Sequence, residues 1–222
     1  MRNRIVLLAL VGLVLFACGP VLADEEGGAS GEPRSTPCGD EWRLRIRALG
    51  IFPAEGMDAN QGLLLGANDI KINNKLTGEF DATYIFDNHV GLELSLPIPV
   101  EHTVDQKSTG ARLGTFKQMP ACLTLQYHFH PDRDFQPYLG AGLNYTSIST
   151  VNLGGLAGLD LDRSSWGAAL QGGFDVKLND KTFFNLDVKK VFSNVDLKQF
   201  GAKISNVQLD PWLIGVGVGF KL

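Results

Sequence analysis

Three arginines alternate with apolar residues near the start of the chain. Arg43, Arg45 and Arg47 are separated by Leu44 and Ile46. Because successive side chains of a strand point to opposite faces, the three guanidinium groups share one face of a strand. A guanidinium group makes two-pronged hydrogen bonds to carboxylates. We therefore expect this row of positive charges to meet acidic side chains on neighbouring strands.

Five acidic residues occupy the same kind of alternating position in later segments. They are Glu79, Asp81, Glu93, Asp175 and Asp187. Buried charges are stable only when they are paired. We therefore predict that these carboxylates and the three arginines form a salt-bridged charge plug inside a narrow lumen. The alternative interpretation is a selective filter, in which the arginines face passing ions.

Eight alternating segments are available to hold these charges. They span residues 42–51, 76–86, 89–97, 116–129, 135–148, 165–178 and 181–192, and a last one that begins near 209. Short turns alternate with long, loop-like connections at about 52–70, 98–115, 149–164 and 193–208. This asymmetry is typical of outer-membrane barrels. The pattern predicts an all-β protein, an eight-stranded antiparallel transmembrane β-barrel with short periplasmic turns and longer extracellular loops.

Alternation alone fits both a membrane barrel, apolar outward, and a secreted lipocalin-like cup, apolar inward. The apolar face has few polar exceptions, and aromatic residues gather at the strand ends, where amphipathic rings favour a membrane interface. The interface aromatics that we predict are Trp42, Phe86, Phe129, Tyr145, Trp166, Trp212 and Phe220, with Phe183 beside them. We therefore favour the membrane barrel.

The start of the chain indicates export. Arg2 and Arg4 precede an apolar run, and a cut after Ala23 would remove residues 1–23 as a signal peptide. Residues 24–41 form a flexible periplasmic leader and 42–222 the barrel; the alternative is lipidation at Cys18. Without the two arginines the chain keeps 18 basic residues against 24 acidic ones, a charge of −6. This balance offers no basic patch for nucleic acid.

The remaining reactive side chains indicate neither catalysis nor metal binding. Cys38 lies in the leader and Cys122 within a strand, so a disulfide between them is not expected. His128 faces the lumen alone, whereas His89, His102 and His130 fall in turns or loops without metal-ligand spacing. The serines lack a nucleophile motif. We expect no enzyme activity, no metal and no cofactor.

Several motifs resemble those of the OmpW family of outer-membrane proteins. The central ones are the runs at 119–129 and 135–145, and shorter matches lie at 165–167 and 210–212. The resemblance implies an eight-stranded barrel that admits small hydrophobic compounds through a narrow, largely apolar upper lumen, with sideways release into the bilayer as one exit. The chain departs from the family at Ser95 and Lys189, which stand where large apolar residues would form the channel constriction.

Two predicted external loops are rich in leucine. The leucines are Leu63, Leu64 and Leu65 in the first loop and Leu153, Leu156 and Leu159 in the third. Exposed apolar patches usually mark binding surfaces, so we predict a hydrophobic entrance for substrates. The alternative is that these loops pack on each other as a lid.

These patterns favour passive uptake of small hydrophobic molecules through the outer membrane of a Gram-negative bacterium. The alternative is a closed structural, adhesive or stress-response barrel without transport. The partners that we expect are outer-membrane lipid, a small hydrophobic molecule or detergent, and the barrel assembly machinery. We expect no nucleic acid and a monomeric protein.

Overall fold

The computed structural model describes residues 41–54, 56–57, 69–87, 89–153 and 159–222. The strands are β1 (Glu41–Phe52), β2 (Gly56–Met57), β3 (Ile70–Ile72), β4 (Lys75–Asp87), β5 (Val90–Pro97), β6 (Val100–Gln106), β7 (Arg112–His128), β8 (Phe135–Asn152), β9 (Leu159–Leu161), β10 (Ser164–Lys177), β11 (Thr182–Gln199), β12 (Ala202–Gln208) and β13 (Trp212–Lys221). No helix in these ranges is long and apolar enough to cross a membrane. The predicted signal peptide and the leader up to residue 40 lie outside the described residues.

Eight of the strands close into a ring. Its order is β1, β4, β5, β7, β8, β10, β11 and β13, and every neighbouring pair is antiparallel. The last strand pairs with the first, from Arg43 opposite Lys221 to Phe52 opposite Trp212. This closure pairs the backbone groups that a sheet edge would leave open. The predicted eight-stranded antiparallel barrel is confirmed.

The two ends of the barrel differ. Short connections at 88–89, 129–134 and 178–181 lie at one end, which we call the turn end. At the opposite end, the hairpin end, the chain makes its long connections. Several of these were predicted as loops but are strands: β11 continues into a hairpin with β12, and β6 pairs with β7. Buried and exposed residues continue to alternate there, and Val195 and Leu197 are buried inside. The hydrogen-bonded strands therefore extend the barrel wall beyond the predicted strand ends.

The two faces of the wall have opposite character. Outward-facing leucines such as Leu139 and Leu143 are each 58% exposed, whereas inward-facing Arg45 and Glu93 are 1% and 0% exposed. The middle of the lumen is therefore polar and the outer surface apolar, the reverse of a water-soluble domain and the arrangement expected of a barrel in lipid.

Candidate functional site

The charged side chains meet in the lower and middle lumen. This charge cluster comprises Arg43, Arg45, Arg47, Glu79, Asp81, Glu93, Asp175, Asp187 and Lys189, each at most 4% exposed. Strand register brings them together, since Arg45 stands opposite Asp81 and Arg47 opposite Glu79 across β1 and β4. All eight residues predicted for the charge plug belong to the cluster.

Arg45 lies between two carboxylates from different sides of the barrel. Its Nη1 is 2.9 Å from Glu93 Oε2 and its Nη2 is 2.9 Å from Asp175 Oδ2. The guanidinium carbon lies 5.3 Å from the ring centre of Phe183 and 5.7 Å from that of Tyr138. Arg45 is thus held by charge at its donors and by aromatic rings at its flat faces.

Arg47 has the most carboxylate partners. Its Nε and Nη2 lie 2.6 and 2.5 Å from the two carboxylate oxygens of Asp81, a two-pronged pair. Glu79, Glu93 and Asp187 approach the same guanidinium group at 3.1, 3.2 and 3.2 Å. Arg47 therefore neutralises acidic groups from three strands, β4, β5 and β11.

Lys189, which was predicted to form a channel constriction with Ser95, contacts the carboxylates of the charge cluster. Its Nζ lies 2.9 Å from Asp187, 3.3 Å from Glu93 and 3.6 Å from Glu79. Ser95 is also buried and stands opposite Asp81, but its hydroxyl has no hydrogen-bond partner among the described residues. Lys189 thus lies with the carboxylates of the charge cluster, whereas Ser95 lies two residues beyond Glu93 on β5, opposite Cys122 of the apolar layer. The constriction itself stays a prediction.

Arg43 extends the cluster towards the turn end. Its Nη1 donates hydrogen bonds to Gln136 Oε1 at 3.0 Å and to Asp175 Oδ2 at 3.1 Å. Glu41 pairs with Arg43 and, at 3.1 Å, with Lys221. Glu41 and Lys221 are partly exposed, so this pair forms the solvent-facing rim of the lumen.

Phe183 is not an interface aromatic. It is 2% exposed and faces the lumen beneath Arg43 and Arg45. The lumen has room for its ring because Gly219 stands opposite on β13: a Cβ atom at Gly219 would lie 2.2 Å from the Phe183 ring. Alternation on β11 places Phe183 on the same face as Asn185 and Asp187, so its inward orientation follows from the strand pattern.

Neutral side chains donate further hydrogen bonds to the carboxylates of the cluster. Gln171 Nε2 donates to Glu93 at 2.8 Å and to Asp187 at 2.6 Å. Tyr138 donates to Asp187 at 2.7 Å, and Asn185 donates to Asp175 at 2.7 Å. Since the charged groups are buried and contact one another, this arrangement fits a plug better than an ion filter.

An apolar layer lies directly above the charge cluster, towards the hairpin end. It is formed by Leu49, Ile51, Cys122, Ala169, Val191 and Leu213, with Val100 packed against it. Leu49 and Ile51 follow Arg47 at alternate positions on β1, so the same strand face changes from charged to apolar. The layer separates the charges from the upper lumen.

The upper lumen contains a cavity that is lined by carbon alone. It measures about 30 Å³ and is lined by Ile70, Ile72, Val104, Leu113, Phe116, Leu153, Leu161, Val195, Leu197 and Leu209. Most of these residues lie on the parts of β3, β6, β7, β9 and β11 that build the hairpin end. Sequence reasoning named Leu153 as an entrance residue but missed Val104, Leu113, Leu161, Val195 and Leu197, because it treated their segments as loops. The alternation of Val195 and Leu197 with polar residues was the signal.

The predicted entrance leucines are only partly described. Leu153 lines the upper cavity. Leu63, Leu64, Leu65 and Leu156 lie outside the described residues, and Leu159 belongs to β9 without a described side chain. The hydrophobic entrance therefore stays a prediction, and the lining residues of the cavity are the observed apolar site.

Six of the seven predicted interface aromatics lie at the outer wall with at least part of their surface exposed. Phe86, Phe129 and Phe220 are exposed at the turn end, where Trp42 packs 5.0 Å from Tyr84. Trp166 and Trp212 are exposed towards the hairpin end. Tyr145 differs, because it is 3% exposed and its ring lies 4.9 Å from that of Trp166, which covers it.

Histidine and cysteine form no metal site in the described part of the chain, where no group of three or more potential ligands occurs. Cys122 is a free, buried thiol in the apolar layer. His128 faces the lumen, and its Nε2 lies 3.2 Å from Gln126 Oε1. His102, predicted in a loop, lies on β6 and is fully buried.

Comparison with known proteins places these features in context. The family model described as OmpW family matches residues 41–222. The outer-membrane protein y4mB of Sinorhizobium fredii is 33% identical over 227 residues, covering 96% of this chain and 94% of the relative. The dibenzothiophene metabolism operon protein PahQ of Pseudomonas aeruginosa is 31% identical over 160 residues, covering 69% of this chain and 74% of the relative. The crystal structure of the outer membrane protein OprG from Pseudomonas aeruginosa matches with a TM-score of 0.71 and 27% identity, covering 82% of this chain and 96% of that structure.

Proposed function

This chain belongs to the OmpW family of outer-membrane barrel proteins, and we propose that it passively admits small hydrophobic molecules and releases them sideways into the bilayer. The protein resides in the outer membrane of a Gram-negative bacterium. In such barrels the short turns face the periplasm, so the hairpin end and its apolar cavity face the outside of the cell. Uptake of this kind requires no chemical step and no cofactor.

The apolar cavity above a closed lumen is the observation that carries the proposal. A molecule without charge loses little hydration when it enters a carbon-lined site, whereas an ion would lose its water without compensation. Below the cavity, the buried charge cluster supports a plug that blocks axial passage. A hydrophobic molecule that enters from outside therefore needs an exit through the wall.

A weak point in the wall lies between β5 and β7 at the level of the apolar layer. Their ladder stops where Ser95 stands opposite Cys122 and resumes on β6 where Val100 stands opposite Gln118. Ile98 N donates to Gly78 O of β4 at 2.8 Å, so the neighbouring Pro97 and Pro99, which have no N–H groups, face β7.

Apolar side chains surround this weak point on both sides of the wall. Ile98, which stands between the two prolines, is 48% exposed on the outside. Inside, Val100 packs against the apolar layer. A molecule that leaves here would exchange one apolar environment for another, which supports sideways release above the charge cluster.

The name of one relative agrees with this substrate class. PahQ is named after an operon for the metabolism of dibenzothiophene, an aromatic compound without charge. An organism that degrades such a compound must first bring it across its outer membrane. We transfer only the general class, small and hydrophobic, to this chain.

The second candidate is a closed barrel without transport. The cavity of about 30 Å³ favours it, because a site of this size holds only one or two water-sized groups until its lining moves apart. Uptake therefore requires that side chains such as Phe116 and Leu113 separate when a substrate enters.

Tracer uptake into liposomes distinguishes the two candidates. We expect the protein to accelerate entry of a hydrophobic fluorescent tracer, and Leu113→Trp to reduce the rate because it fills the cavity. The matched control is Leu143→Trp, an equal enlargement on the lipid-facing wall, which should leave the rate unchanged. Equal rates with and without the protein would favour the closed barrel.

A further inference from the structure

A ring of polar side chains lies directly beneath the apolar cavity. On four strands, the inward-facing residue next to a member of the buried apolar cluster around the cavity is polar. The pairs are His102 beneath Val104, Gln118 beneath Phe116, Thr146 beneath Ile148, and Ser193 beneath Val195. These four polar side chains, which we call the polar ring, are at most 3% exposed and lie between the cavity and the apolar layer.

Three members of the polar ring have partners within the protein. His102 Nδ1 lies 2.9 Å from Asn73 O, and His102 Nε2 lies 3.1 Å from Gln118 Nε2. A neutral imidazole that carries its proton on Nδ1 satisfies both contacts, donating to Asn73 and accepting from Gln118. Thr146 Oγ1 donates to Asn144 Oδ1 at 2.8 Å.

Ser193 differs from these three residues. Its side chain is 2% exposed, and its hydroxyl has no hydrogen-bond partner among the described residues. An unpaired buried hydroxyl destabilises the folded protein, because it has lost its hydrogen bonds to water without replacement. Nearby Ser165 shows the ordinary outcome, since its hydroxyl donates to Asn194 O at 2.6 Å.

Ser193 lies beside residues that line the cavity. Ser193 O accepts a hydrogen bond of 3.0 Å from the N–H of Leu209, a cavity-lining residue. Val195, two residues further along β11, also lines the cavity. Two residues of a strand span roughly 7 Å, which is about the length of a benzene ring with one substituent.

We infer that the polar ring is a subsite for the single uncharged polar group of an otherwise hydrophobic molecule, such as an alcohol or a phenol. The Ser193 hydroxyl is its hydrogen-bond partner, and the apolar body of the molecule occupies the widened cavity. The inference rests on the proposed uptake function and narrows its substrate class. A charged group is disfavoured because the polar ring is neutral and an unpaired buried charge is costly.

A matched pair of probes tests the subsite. We would titrate 4-fluorobenzyl alcohol and 4-fluorotoluene into the full protein in lipid nanodiscs, follow fluorine NMR, and subtract partitioning into protein-free nanodiscs. Ser193→Ala should weaken binding of the alcohol about 3- to 10-fold, the effect of one net hydrogen bond, and leave fluorotoluene unchanged. Ser165→Ala is the control, because that hydroxyl is already bonded and should not affect either probe.

The wild-type protein supplies a second readout that does not depend on the variant. The alcohol, but not fluorotoluene, should shift the backbone amide resonance of Ser193. If both probes bind but Ser193→Ala affects them equally or not at all, the polar subsite is wrong and the uptake proposal stands. If neither probe binds above the protein-free background, the uptake proposal fails and this inference fails with it.

Discussion

Replacing Arg47 by methionine tests whether the charge cluster holds the barrel together. Methionine retains much of the side-chain length but removes the positive charge that faces Asp81, Glu79, Glu93 and Asp187. The intact cluster contains five carboxylates and four cationic groups. The variant leaves five carboxylates with three cationic groups in a site that water does not reach.

The expected cost follows from the burial of these groups. Removing one partner of a buried ion pair destabilises proteins by about 3–5 kcal/mol, because the other charge stays buried and unpaired. This corresponds to roughly two to four orders of magnitude in the folding equilibrium constant. By contrast, a partly exposed pair contributes about 0–1 kcal/mol, and Lys221 with Glu41 is such a pair.

Urea unfolding in lipid measures this difference. We expect the midpoint of Arg47→Met to fall well below that of the wild type with an unchanged denaturant slope, and Lys221→Met to stay close to the wild type. Adding Asp81→Asn to Arg47→Met removes one uncompensated carboxylate from the two-pronged pair. The double variant should therefore be more stable than Arg47→Met alone.

Two results would refute this reasoning. If Arg47→Met unfolds at the same urea concentration as Lys221→Met, the buried charges do not stabilise the barrel. If Asp81→Asn lowers the stability of Arg47→Met further, the Asp81 carboxylate must have another cationic partner in that variant. The pairing of Asp81 with Arg47 that we inferred from the distances is then wrong.

Two further predictions concern the ends of the barrel. Burial lowers the pKa of His102 below its ordinary value, the hydrogen bond to Asn73 opposes this shift, and Lys75 adds to it. As the pH falls below about 6.5, the unfolded chain therefore takes up a proton on His102 before the folded protein does. The free energy of unfolding should then decline, by at most about 1.4 kcal/mol per pH unit, until His102 is protonated in the folded protein as well. Unfolding of the wild type and of His102→Asn at several pH values measures this contribution, and identical pH profiles would contradict it. Phe220→Ala removes an outward aromatic from the closing strand β13 and should reduce the heat-modifiable folded barrel in the membrane, whereas an unchanged yield would indicate that Leu222 is sufficient for assembly.

The faces of the strands could be predicted from the sequence. Arg43, Arg45 and Arg47 had to share one face because strand side chains alternate with a period of two, and the same rule assigned Glu79 and Asp187 to the lumen. Alternation up to the last residues also indicated that β13 closes on β1. The fold and the membership of the cluster therefore followed largely from local pattern and family resemblance.

The level of each residue along the lumen was decided by the tertiary structure. Strand tilt and stagger in a closed barrel set which residues of distant strands meet, and no local pattern encodes them. Lys189 thus joined Glu93 and Glu79 in the charge cluster.

Local space and long-range packing account for the rest. Phe183 falls on the inward face of β11 together with Asn185 and Asp187, and the space opposite Gly219 shows how the lumen accommodates its ring. The apolar cavity escaped prediction because Val104 and Val195 lie in segments that were predicted as loops, and because they meet Phe116 only inside the closed barrel. The sequence by itself determined which side of the wall each residue faces; only closure of the barrel decided which of them share a layer, because that depends on the stagger of all eight strands at once.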